Sequence, residues 1–274
     1  MKRYAKARAV ARSIGTLALI NVAASLAAEP AAAPPAATAA RPAAPPTARA
    51  QAPFDPSGYW VSVITEDWRY RMVVPGKGEY ADVPVNLEAK QFADAWSPAA
   101  DEAAGQECKA YGAAAIMRIP GRLHITWQDD NTLRVDTDAG TQTRLLLFKP
   151  TAADTAAPPS TQGLSVASWV RAANEPPPAP GMGNAGAPRH GTLKVQVTNM
   201  TAGYLRKNGL PYSENSKMTE YWDLYAAPNG DRWLVVESEL TDPKYLQVPY
   251  VLSSNFKQEA DGRKWDPSPC SLRR

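Results

Sequence analysis

The sequence predicts a mainly β chain, an antiparallel meander that forms a β-barrel or strongly curved sheet, with one or two short helices inserted after the first hairpin. Three stretches carry that prediction. In Gly121–Phe148, Leu123, Ile125 and Trp127 alternate with Arg122, His124 and Thr126. Leu133, Val135 and Thr137 then alternate with Arg134, Asp136 and Asp138. This period of two marks half-buried strands, with Asp129-Asp130-Asn131 and Ala139-Gly140 as the turns between them. In the C-terminal third, Met218–Ala226 and Arg232–Leu240 flank Pro228-Asn229-Gly230-Asp231, whose Asn-Gly pair is a strong hairpin signal. Near the start of the fold, Tyr59–Ile64 follows the turn chemistry of Asp55-Pro56-Ser57-Gly58.

Taken in order, the chain begins with a basic segment, Lys2, Arg3, Lys6, Arg8 and Arg12, followed by the apolar run Ser13–Ala27. Ser25-Leu26-Ala27 fits a small-x-small cleavage site, so residues 1–28 are expected to be a signal peptide for export to the periplasm or secretion. The run is too short for a stable membrane span and Asn21 interrupts it. Residues 29–53 are rich in Ala, Pro and Thr and are expected to be a disordered linker, with one β-rich domain over 54–274. The formal charge is +3, from 30 basic against 27 acidic residues. The five basic residues of the signal segment account for the excess, and without them the balance is 25 against 27. A nucleic-acid partner therefore has no electrostatic support.

Within the domain, Trp68–Val74 is expected to be a second strand, completing a hairpin with the first. Asn86-Leu87-Glu88 has the character of a helix start, and Leu87, Phe92, Ala95 and Trp96 fall on one face of the helix that follows. Ser97-Pro98 starts a second short helix. Ala113–Ile119 is expected to be a strand, Lys149–Pro159 a flexible tract, and Gly163–Trp169, Thr192–Met200 and Tyr250–Glu259 strands. Gly203–Ser216 is expected to be a long connection, for a total of about ten strands. Cys108 and Cys270 are the two cysteines, and in an exported chain they favour a disulfide.

Gly58-Tyr59-Trp60 resembles the Gly-x-Trp of lipocalins and related avidin-like barrels, in which the Trp closes one end of the barrel. A closer likeness is to a group of uncharacterised secreted bacterial proteins. It rests on Ser57-Gly58-Tyr59-Trp60, the Gly121–Arg144 meander, Gly163-x-Ser165-x-x-x-Trp169 and Asp242-Pro243-Lys244-Tyr245. That resemblance implies a lipocalin-like (calycin-type) β fold and export, and brings no catalytic residues with it.

The chain contains no nucleophile elbow, phosphate loop, zinc site or haem attachment motif. Gly181–Gly186 matches Gly-x-Gly-x-x-Gly in letters, but it follows a Pro-rich loop and precedes no helix, so no nucleotide cofactor is expected. With His124 and His190 the only histidines, no metal is expected. His124 shares the polar face with Arg122 and Thr126, and Arg134, Asp136 and Arg144 are expected on that face. A His124–Asp136 pair is a weak acid–base candidate. Glu220 shares a face with Met218, Trp222 and Leu224, and Glu237 one with Trp233 and Val235. A carboxylate among indoles suits a ligand pocket, and two facing carboxylates, Glu220 and Glu237, suit glycoside hydrolysis.

The leading expectation is an exported, non-enzymatic barrel that binds a small apolar or aromatic ligand in its mouth through Trp60, Trp127, Trp222, Trp233, Glu220 and Arg134. The alternative is a periplasmic accessory module with an envelope protein partner. An acid–base hydrolase or isomerase is the distant third.

Overall fold

The computed structural model describes residues 45–171 and 191–273. The predicted signal peptide, most of the linker, the Gly181–Gly186 motif and His190 lie outside the described residues. The strands are β1 (Gly58–Val63), β2 (Arg122–Asp129), β3 (Thr132–Thr137), β4 (Thr143–Leu147), β5 (Leu164–Val170), β6 (Thr192–Thr198), β7 (Gly203–Arg206), β8 (Leu210–Tyr212), β9 (Lys217–Ala226), β10 (Arg232–Thr241) and β11 (Tyr250–Glu259). Nine of them close into one barrel in the order β1-β11-β10-β9-β6-β5-β4-β3-β2, while β7 and β8 form a separate hairpin. Closure leaves the barrel without a free edge, the hazard of an open antiparallel sheet. Every barrel junction is antiparallel except β4 against β5.

The period-two pattern is what fills the barrel. Leu123, Ile125, Leu133, Val135, Leu193, Val195, Trp222, Leu234, Val236 and Phe256 are all buried, and their sequence neighbours, apart from Thr132, are more exposed. The predicted meander is β2–β3–β4, and the Asn-Gly hairpin is β9–β10, with Ala226 opposite Arg232. Trp60 is fully buried on β1, its indole N–H donating to the Pro56 carbonyl at 2.8 Å. The Arg232 guanidinium lies over its ring at 5.9 Å.

Strand register gives the barrel two ends with different covers. At the β1 N-terminal end, Trp127, Phe148, Trp169 and Phe54 form a chain of ring contacts. Residues 45–53, assigned to the linker from composition, are docked here. Helix α1 (Ala48–Gln51) buries Ala48, accepts the Trp169 indole N–H at the Ala48 carbonyl, and donates from Ala48 to Asn131. The segment lacks large apolar residues; these two hydrogen bonds, with Arg49 N donating to the Asp130 carbonyl and Arg171 Nη2 to the Gln51 carbonyl, hold it instead.

The opposite end carries a helical annex. It comprises α2 (Trp68–Met72), α3 (Leu87–Ala95), α4 (Pro98–Ala103), a 3₁₀ turn at Glu107–Tyr111, α5 (Ala113–Ile116) and the β7–β8 hairpin; α6 (Ala152–Thr155) lies in the β4–β5 connection. Several expectations need correcting here. Trp68–Val74 is not a strand, so β1 has no hairpin partner there. Its alternation of apolar and cationic residues has another origin: α2 exposes Trp68 and Met72 and buries Arg71. Ala113–Ile119 is likewise helical at Ala113–Ile116, where three successive alanines have the strongest helix propensity of any residue. Gly203–Ser216 is not a bare connection but contains the β7–β8 hairpin, turned by Lys207-Asn208-Gly209. Asn86 caps α3 as expected, its Oδ1 accepting from Ala89 N at 3.0 Å, but the buried face is Ala89 and Ala93, with Leu87 and Phe92 exposed.

Candidate functional site

Inside the barrel, Arg144 of β4 and Glu220 of β9 meet. Arg144 Nη1 and Nη2 donate to the two Glu220 oxygens at 3.0 and 2.8 Å, and Nη2 also donates to Ser165 Oγ at 3.3 Å. The Trp222 indole N–H approaches Glu220 Oε2 at 3.4 Å. Both charged side chains are at most 1% exposed. Glu220 is therefore the buried partner of an arginine, closed in a two-pronged ion pair, and not a carboxylate facing open space. The sequence assigned Arg144 to the polar face with Arg134; register corrects this, since Arg144 lies opposite the buried Val135 and Leu145 opposite Arg134.

The remaining predicted site residues do not converge. Glu237 is exposed on the outer face of β10 with Trp233, whereas Glu220 is on the inner face, so the two carboxylates cannot flank one bond. Trp60 and Trp222 are buried in the core, Trp127 sits in the aromatic cluster at the α1 end, and its indole N–H donates to Asp55 at 3.2 Å. Arg134 donates to Asp136 Oδ2 at 2.7 Å on the outer surface. His124 lies directly opposite Asp136 in the β2–β3 register, but the Asp136 oxygens accept from Arg134 and Thr143. Burial pushes the Asp136 carboxyl upward, and the hydrogen bonds from Arg134 and Thr143 outweigh it and hold it below its ordinary value. The His124 ring stacks on Tyr59, centroids 4.1 Å apart, with Trp265 edge-on at 6.1 Å.

A cavity of about 570 Å³ lies elsewhere, in the annex, a size typical of small-molecule sites. Its walls are α2 with the following Val73–Pro75, the 3₁₀ turn and α5, β7, the β3–β4 turn at Ala139, and the C-terminal tail at Ser268–Ser271. Met72 and Val73, both 60% exposed, mark its outer rim. The tail wall is fixed by the Cys108–Cys270 disulfide, by Ser268 N donating to the Asp138 carbonyl, and by hydrogen bonds between Ser271 and the Tyr111 hydroxyl.

Three arginines line this cavity, and each is more than nine-tenths buried: Arg71 at 8% exposure, Arg118 at 6% and Arg206 at 5%. Arg71 Nε donates to the Arg118 carbonyl at 2.9 Å and Nη1 to Glu66 at 3.0 Å. Arg118 Nη2 donates to Asp67 Oδ2 at 2.9 Å, and Arg206 Nη2 stands 4.0 Å from the same oxygen. Arg206 also stacks over Tyr70 at 4.5 Å and donates from Nη1 to the Ala81 carbonyl. Arg71 Nη2, Arg118 Nη1, Arg206 Nε and Arg206 Nη2 are buried without a hydrogen-bond partner among the described residues. Each such group costs about 1–3 kcal/mol, so four in one cluster is a large local penalty. Burial, and then the neighbouring Arg118, hold the Arg71 guanidinium below its ordinary value. Lys207 adds a fourth cation to the lining, donating to the Tyr111 hydroxyl at 2.8 Å.

This site is hard to read from the sequence because its arginines come from three separated segments. The faint local signal was the alternation in Trp68-Arg69-Tyr70-Arg71-Met72, which placed two cations beside a turn. Comparison of the chain with family models, curated proteins and solved structures found no match.

Proposed function

We propose that this chain is an exported small-molecule-binding protein whose ligand is held at the annex end of the barrel, in the cavity between α2, α5, β7 and the C-terminal tail. The observation that supports it best is the contrast between the two interiors. The barrel is filled by Trp60, Trp222, Phe256 and the Arg144–Glu220 pair, whereas the annex encloses a 570 Å³ cavity with apolar walls at Val73, Ile119 and Leu205. Apolar walls with a few fixed polar groups are what small-molecule recognition requires. On this reading the tryptophans nominated from sequence are packing residues, and the mouth of the barrel is the annex itself. The disulfide, which closes one wall of the cavity, accords with an oxidising compartment.

The test is a titration with the neutral, environment-sensitive dye Nile red. Saturable one-to-one binding with a blue-shifted emission is expected, weakened by Val73→Trp, which narrows the rim at an exposed position. No saturable binding, or binding that Val73→Trp leaves unchanged while Trp222→Phe abolishes it, would return the site to the barrel interior or remove it altogether.

A further inference from the structure

Resting on that reading, we infer that the cavity takes an amphipathic anion, its carboxylate or phosphate head received by Arg71, Arg118 and Arg206 and its apolar body lying along Val73, Ile119 and Leu205. Three independent features point to a head group of this kind. The first is unmet donor capacity: four guanidinium nitrogens of these arginines are buried without a partner among the described residues. A carboxylate or phosphate oxygen supplies two or more acceptor sites and matches the planar fork of a guanidinium. The second is charge. Arg71, Arg118, Arg206 and Lys207 line the cavity; the arginines pair with two carboxylates, Glu66 and Asp67, and Glu79 also acts on Arg206. With the half-buried Lys207 the cations exceed these three carboxylates by one, an excess that an anion relieves.

The third is the arrangement of the lining. The arginines belong to its buried part, together with Leu205, Ala110 and Tyr111, and Met72 and Val73 are its exposed part. A ligand would therefore enter with its head inward and leave its apolar end toward the rim. The arginines are also held in place before any ligand arrives. Arg71 is tied to the Arg118 carbonyl, Arg206 to the Ala81 carbonyl and the Tyr70 ring, and Asp67 stands next to both Arg118 and Arg206. Donors fixed in advance lose little freedom on binding. Arg144 meets Glu220 with both terminal nitrogens and leaves only Nε without a partner among the described residues, whereas Arg71, Arg118 and Arg206 each leave one terminal nitrogen so.

The experiment is displacement of bound Nile red from the full, disulfide-bonded chain by three ligands with the same ten-carbon body: decanoate, decyl phosphate and decanol. At least one anion is expected to compete about tenfold or more tightly than decanol, with the preference shrinking as salt is raised. The stronger of the two identifies the head as carboxylate or phosphate. Arg118→Gln and Arg206→Gln are each expected to remove most of that preference while leaving decanol unchanged. The ranking of ligands on the unmodified protein needs no variant, so a variant that fails to fold does not rescue the idea. Equal competition by all three ligands would overturn the anionic head and leave the cavity reading standing, whereas no Nile red binding would overturn both.

Discussion

Glu220→Gln removes the counter-charge of Arg144 and one of the two oxygens that accept from its terminal nitrogens, at the centre of the barrel, and the geometry sets how much that should cost. Both side chains are at most 1% exposed, and the pair is joined at 3.0 and 2.8 Å. The substitution keeps the volume of the side chain, so packing changes little, but it leaves a buried guanidinium whose Nε already has no partner among the described residues. Breaking one side of such a pair costs about 3–5 kcal/mol. Against a domain stability of about 5–15 kcal/mol, that is a large fraction. For a domain of this size it corresponds to a fall in Tm of roughly 6–20 °C. Replacing both partners, Arg144→Met with Glu220→Leu, removes the two charges together and should recover much of the loss. Urea unfolding followed by tryptophan fluorescence measures all the variants and the coupling between them. If Glu220→Gln lies within about 0.5 kcal/mol of the parent, or the double variant is as damaged as the two singles added together, the ion pair does not hold the barrel core.

Three further outcomes are expected. Reducing the Cys108–Cys270 bridge, or replacing both residues by Ser, should lower the unfolding free energy by up to about 5 kcal/mol for a separation of 162 residues, seen as a lower urea midpoint, and should weaken decanoate binding because the tail wall loosens; an unchanged midpoint and affinity would contradict it. Gly140 has φ +76°, and an added Cβ would stand 2.2 Å from Tyr111 Cδ1, so Gly140→Ala should cost about 1–3 kcal/mol and shift the cavity wall, as thermal melts and Nile red affinity would record. Burial pushes the Asp101 carboxyl up, but hydrogen bonds from Tyr204, Trp96 and Lys109 more than offset this and hold it below its ordinary value of 3.8. A depressed folded value means that its contribution is complete above about pH 4 and is lost as pH falls through the lower folded value. Melts across that acid range should therefore show a decline that Asp101→Asn largely removes, and an identical acid limb in the variant would refute the assignment.

The barrel was legible in the sequence because its signal is local. Each strand of the β2–β3–β4 meander declares itself by alternation, and Asn229-Gly230 marks the β9–β10 turn. In the annex, α3 and α4 announced themselves through Asn86 and Ser97-Pro98, but the rest was not legible, for the same physical reason in reverse. Trp68–Met72 alternates like a strand, yet tertiary contacts bury Arg71 and turn the segment into a helix. The second Asn-Gly, at Asn208-Gly209, would have revealed β7–β8 had it been weighted as the first was. Alternation also separates faces without saying which one is inside: it grouped Glu237 with Trp233 correctly, but both lie on the outer surface. The cavity was out of reach, because Arg71, Arg118 and Arg206 come together through helix, turn and hairpin, with no spacing rule connecting them.

The most direct test is to follow the side-chain N–H signals of arginine Nε and tryptophan Nε1 in nitrogen-labelled protein as decanoate or decyl phosphate is added. The Nε–H of Arg206, unpartnered among the described residues, should shift progressively and saturate together with Nile red displacement. The indole signals of Trp60 and Trp222, sealed in the barrel core, should not move. Saturating shifts at Trp60 and Trp222 with a silent Arg206 would place the ligand in the barrel and contradict the account.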